Sequence, residues 1–270
     1  MSSRSLAARV LAVLLAPLAV AQAGESGRGE LQSPAFTRRD YSLYDAGRYV
    51  YEQHCIVCHG ARGDGRGEMA DSVGVKPRSF ASGLFKYRST PWGKLPTTED
   101  LLRTVRNGRT GTAMGMFTHL TDEQQRAVVE YIKFFSARWR KAENHAAPLP
   151  LPPQPTWLTD ERELDLHAAA GKPVFQAICA ACHGPDGDGK GVAAVTLKNN
   201  DVAPAAPADL RLKHLRSGDE PIDIFRTLAT GLNGTPMVSF ADSLSDTQKW
   251  DVIAHILTLR RDFSASRAQQ

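Results

Sequence analysis

The four cysteines of the 270-residue chain fall into two five-residue motifs, Cys55-Ile56-Val57-Cys58-His59 and Cys179-Ala180-Ala181-Cys182-His183. Two thiols separated by two residues on a turn of helix can both add to the vinyl groups of one haem. The adjoining His then faces the iron from the same side. Three other chemistries use similar residues. A redox dithiol also has Cys-x-x-Cys, but it sits in an α/β context and needs no adjoining His. A Cys₄ zinc site would have to join pairs that lie in separately repeated segments. Structural disulfides suit an exported protein, yet Cys-x-x-Cys closes a very tight loop. Duplication of the whole motif favours haem. Two haem c groups are expected, anchored by Cys55 and Cys58 and by Cys179 and Cys182, with His59 and His183 as the proximal metal ligands.

A sixth ligand is sought among the methionines. Gly108-Arg109-Thr110-Gly111-Thr112-Ala113-Met114 matches Gly231-Leu232-Asn233-Gly234-Thr235-Pro236-Met237, and each Met is followed at three positions by Phe, Phe117 or Phe240. A thioether is soft and uncharged, suits low-spin iron and raises the reduction potential. The alternative is a gap-filling core methionine, and the shared register argues for Met114 and Met237 as distal ligands. Met116 is the rival in the first copy, but it aligns with Ser239; His119 is the other possible substitute. His54 adjoins Cys55 on the proximal side, and His145, His167, His214 and His255 have no counterpart in the other copy, which suits surface or packing roles.

These sites must be positioned by elements that are written twice. Gly47 to Tyr51 precedes the first motif as Gly171 to Phe175 precedes the second, and Gly63-Asp64-Gly65-Arg66-Gly67 trails it as Gly187-Asp188-Gly189-Lys190-Gly191 does. The pattern is helical, with no run of alternating strand character. A short helix is expected before each cysteine pair. Further helices are expected from Pro96-Thr97 through Val105 and from Pro221. A last helix in each copy opens on a capping box, Thr121 with Gln124 and Ser245 with Gln248, ahead of apolar residues three or four apart. Between the copies, Ala146 to Pro155 holds five prolines, which favours an extended, semi-rigid spacer, with a strap packed over one domain as the alternative. The first copy alone carries the loop Phe85 to Pro96, rich in aromatic and basic residues. It suits brackets for haem propionates, a docking surface or a plain packed loop.

The N-terminus reads as a secretory leader over 1–23. Arg4 and Arg9 precede an apolar stretch, Val10 to Ala21, and Ala21-Gln22-Ala23 offers a cleavage site after about Ala23. The expected organisation is a leader 1–23, a first domain 24–142, a Pro-rich linker 143–158 and a second domain 159–270. The formal charge of +4 falls to +2 without the two leader arginines, a balance that points neither to nucleic acid nor to a strongly acidic partner. No later stretch is long and apolar enough to serve as a transmembrane anchor of the mature chain.

Both copies resemble class I cytochromes c, over roughly 41–142 and 159–262, and the whole resembles a periplasmic dihaem cytochrome c with two such domains in tandem. The resemblance implies an all-α fold in which the first and last helices of each domain cross beside the haem. It places Gly47 and Tyr51, and Gly171 and Phe175, at that crossing, with Tyr131 as partner in the first domain and His255 in its place in the second. An iron held on both faces by protein has no open position for substrate, which suits outer-sphere electron transfer. The expected role is therefore non-enzymatic: a periplasmic carrier, or an electron-transfer subunit of an oxidoreductase, passing electrons between redox-partner proteins. The alternative is a dihaem oxidase, such as a peroxidase or thiosulfate dehydrogenase.

Overall fold

The computed structural model describes residues 38–201 and 203–268, so the expected leader and the start of the first domain lie outside the described residues. The fold is all-α. Eight α-helices appear among the described residues, with no strand and only an isolated bridge between Lys198 and Pro204. The first domain contains α1 (Arg38–His54), α2 (Ile56–His59), α3 (Thr98–Asn107) and α4 (Asp122–Lys133). The second repeats the order with α5 (Glu161–Ile178), α6 (Ala180–His183), α7 (Pro221–Thr230) and α8 (Asp246–Ala268).

Helix starts obey local chemistry. Thr97 and Asp100 form a reciprocal capping box on α3, and Thr121 and Gln124 form one on α4. The Ser245 hydroxyl accepts from the Gln248 N–H while the Gln248 carboxamide oxygen accepts from the Ser245 N–H at the head of α8. Pro221 sits in the first turn of α7, where its missing N–H costs nothing. The helices ahead of the cysteines are not short, as the motif suggested. They run 17 and 18 residues, and the start of α5 is set by Asp160, which accepts from the N–H groups of Arg162 and Glu163.

In each domain the first and last long helices cross at a glycine. A Cβ on Gly47 would collide with the Ala127 carbonyl of α4, and one on Gly171 with the Asp251 carbonyl of α8. Backbone approaches backbone there, and the aromatic residue one turn later fills the space beyond. The Tyr51 ring lies 5.3 Å from that of Tyr131, and Phe175 meets His255 edge-on at 5.1 Å. Each crossing heads a separate core. One gathers Tyr51, Leu101, Leu102, Val128, Val129 and Ile132; the other gathers Phe175, Ile224, Phe225, Trp250, Val252 and Ile253.

The Pro-rich segment is the packed strap rather than a free spacer. Leu149 and Leu151, set between prolines, rest with Trp157 and Leu158 on the second core, and the Leu149 N–H donates to the Ser89 carbonyl of the first domain at 2.8 Å. The prolines hold the chain extended, and the leucines give it a reason to stay on the surface.

Candidate functional site

Each cysteine motif sits at a break between a long helix and a single turn. Cys55 caps α2 and Cys179 caps α6, and their N–H groups still bond back to Tyr51 and Phe175. The His59 N–H donates to the Cys55 carbonyl and the His183 N–H to the Cys179 carbonyl, both at 2.9 Å. This winding brings two thiols and one imidazole onto the same turn. The Gly60-to-Gly67 and Gly184-to-Gly191 loops then fold back under it. Gly65 and Gly189 donate to the carbonyls of His59 and His183, and Gly67 and Gly191 to those of Cys58 and Cys182.

Backbone carbonyls farther along the chain orient the two imidazoles. His59 Nδ1 lies 3.0 Å from the Arg78 carbonyl, and His183 Nδ1 lies 3.1 Å from the Ala208 carbonyl. A carbonyl can only accept, so the proton sits on Nδ1 and the Nε2 lone pair is left for another centre. Burial pushes both rings below the ordinary histidine pKa, against the smaller opposing effect of those hydrogen bonds. Neutral, oriented imidazole is the state that ligates a metal. Burial also pushes the Cys55 thiol up to about 12 and the Cys179 thiol up to about 11, each aided by its neighbouring cysteine. A dithiol built for exchange has its thiol pKa lowered instead. The donor set, two thiols and a free Nε2 on one turn, thus fits a covalently attached haem in both domains.

The two methionine segments are closed by the same hydrogen bonds. The Met114 N–H donates to Thr112 Oγ1 at 3.1 Å and its carbonyl accepts from the Arg109 N–H at 2.8 Å. The Met237 N–H donates to Thr235 Oγ1 at 3.1 Å and its carbonyl accepts from the Leu232 N–H at 2.8 Å. Phe117 and Phe240, three residues on, then tie back to the carbonyls of Val105 and Leu228. Both Met114 and Met237 are half-buried, whereas Met116 is 67% exposed. Exposed His119 packs against the ring of His54 at 5.2 Å. The unmatched histidines have other partners: His145 bonds the Trp139 carbonyl, His214 bonds Asp219, and His167 stacks on Trp157 at 3.7 Å while bonding Asp251.

The aromatic and basic loop of the first domain turns toward the second. Phe85 enters the first core, while Arg88 and Gly93 reach main-chain and side-chain atoms of residues 230–233. Sequence reasoning singled out this loop without its partner, and it passed over Asn233. The available signal was a break in the repeat, since Asn233 stands where the first copy has Thr110.

Comparison with known proteins agrees with this geometry. Residues 42–132 match the family described as cytochrome c oxidase, cbb3-type, subunit III, and residues 168–260 match the family described as cytochrome c. No curated relative matches the chain. Among solved structures, the chain is similar to a chain of the Kuenenia stuttgartiensis reducing HAO-like protein complex, at 36% identity and a TM-score of 0.70, covering 80% of this chain and 96% of that one. Cytochrome c domains transfer electrons, and each carries one covalently bound haem c. The chain therefore belongs to the cytochrome c family, as a dihaem c-type cytochrome with two class I domains in tandem.

Proposed function

We propose that the protein is a periplasmic electron-transfer component whose two haems are each ligated by one histidine and one methionine: His59 with Met114, and His183 with Met237. The observation that carries this reading is the identical hydrogen-bonded closure of the two methionine segments. The bound haem supplies a one-electron couple. The chain supplies two thiol anchors, a neutral imidazole fixed by a carbonyl, and a thioether on a closed loop. Ligands fixed on both faces leave little to rearrange when charge changes, and they leave no site for a substrate. The protein then works as a carrier or as the electron-transfer subunit of a redox complex, a role supported by its 36% identity to a chain of such an assembly. The apolar stretch from Val10 to Ala21 behind Arg4 and Arg9 supports export.

The ferric near-infrared spectrum tests this. Met114→Ala and Met237→Ala should each remove about half of the sulfur-ligation band, and Met116→Ala should leave it whole. If Met116→Ala removes half of the band, the first-domain assignment is wrong. A high-spin fraction in the unmodified protein, or turnover with peroxide, would instead favour an enzyme.

A further inference from the structure

Arg88 is 2% exposed, and its guanidinium forms no ion pair among the described residues. Main-chain carbonyls hold it. Within its own loop, Nε donates to Pro91 at 3.3 Å and Nη1 to Lys86 at 3.4 Å. Across to the second domain, Nη2 donates to Thr230 at 2.5 Å and Nη1 to Gly231 at 3.2 Å. Thr230 is the last residue of α7 and Gly231 its cap, so the cation also sits at the negative end of that helix. Asp100 favours the charge from a distance without pairing with it, and burying an arginine with no direct ion pair is costly unless its donors are used in a fixed geometry.

A second set of contacts lies beside the first. Asn233, also 2% exposed, accepts from the Gly93 N–H through Oδ1 and donates from Nδ2 to the Lys94 carbonyl, both at 3.0 Å. Trp92 covers Gly231 so closely that a Cβ there would come within 2.6 Å of the indole. Thr230 and Gly231 lead directly into the loop that Leu232 and Met237 close, and Asn233 lies within it. Among the described residues, the first domain's own methionine loop is held by its own domain, with Arg109 stacked on Tyr87 at 4.4 Å. Its counterpart of Asn233, Thr110, is exposed, and among the described residues its hydrogen bond to the second domain is a 3.4 Å contact from Arg109 to the Arg216 carbonyl.

We infer that the 88–94 loop of the first domain clamps the methionine loop of the second, with Arg88 and Asn233 as positioning residues for Met237. This rests on Met237 being a distal ligand. The clamp makes the second thioether harder to displace than its own domain alone would, and leaves the first unaffected.

The test is an imidazole titration of the ferric holoprotein, monitored by the near-infrared sulfur band, in the unmodified protein and in the Arg88→Met, Asn233→Ala, Thr110→Ala and Met237→Ala variants. Loss of a buried hydrogen-bonded clamp should raise the open population about tenfold. In Arg88→Met and in Asn233→Ala, half of the band should then bleach at about one-tenth of the usual imidazole concentration. The other half should not move, and Thr110→Ala should bleach as the unmodified protein does. Asn233→Ala removes no charge and keeps the test open if Arg88→Met does not fold. Bleaching unchanged in Asn233→Ala, or shifted equally in both halves, overturns the clamp. Met237→Ala separates the two ideas: if it leaves the band whole, the ligand assignment has failed rather than the clamp.

Discussion

His255 shows how one residue records the difference between two copies of a domain. It stands where the first domain has Tyr131, is 6% exposed, and meets the edge of Phe175, with its Nε2 buried and unpartnered among the described residues. Burial, with a smaller contribution from Lys172, lowers its pKa below 6.5. Below pH 6.5 the unfolded chain takes up a proton that the folded chain refuses, so this residue's contribution to stability falls as pH drops through that value toward the lower folded pKa. His255→Phe removes both the orphan nitrogen and the proton linkage. Its denaturation midpoint should exceed that of the unmodified protein, by a margin that grows between about pH 7.5 and about pH 5. A margin independent of pH would show that His255 does not titrate across folding. At this scale the attachment sites were legible, because thiol and imidazole spacing is itself the chemistry. The tautomer of His59 and His183 was not, since it is fixed by the carbonyls of Arg78 and Ala208, which no side-chain pattern announces.

At the scale of elements, the helix crossings depend on two absent side chains. Replacing a helical glycine by alanine ordinarily favours the helix by about 0.5–1 kcal/mol. At Gly171 the added Cβ would meet the Asp251 carbonyl, and at Gly47 the Ala127 carbonyl, and neither backbone can turn aside as a flexible side chain would. Forcing an overpacked contact costs about 1–3 kcal/mol and outweighs the helical gain. Gly171→Ala and Gly47→Ala should therefore each lower stability in chemical denaturation, and a rise in either would mean that the helices separate at little cost. These glycines were readable from the repeat and from family resemblance. Helix lengths were less so. α5 begins at Glu161, set by an Asp160 cap, and carries Pro173 in its interior, where the sequence alone argues for a break.

Across the whole molecule, two cores are held together by contacts that use the backbone of one side. Arg88 reaches the carbonyls of Thr230 and Gly231, Asn233 reaches Gly93 and Lys94, and Leu149 reaches Ser89. Every residue has a carbonyl, so such an interface leaves almost no trace in sequence. The duplication was legible, whereas the way the duplicates meet was not. The strap obeys the same logic: prolines dominate the composition of 146–155, but the leucines between them decide its place. A loose linker is cut first by proteases, while a packed one is protected. Brief digestion of the holoprotein should leave 146–158 intact, and release of two haem-bearing halves at early times would show that the strap is not seated.

The bonds that join Arg88 to Thr230 and Gly231 link residues 142 and 143 positions apart in the chain. Closing contacts so distant costs loop entropy, which slows the step that makes them. The turns holding the cysteines and histidines close over a few residues and are complete early. The cysteine turn and the methionine loop of the second domain should therefore be finished at different times. In the second domain the cysteine turn is wound from near neighbours, and the methionine loop waits for contacts with a loop made more than a hundred residues earlier.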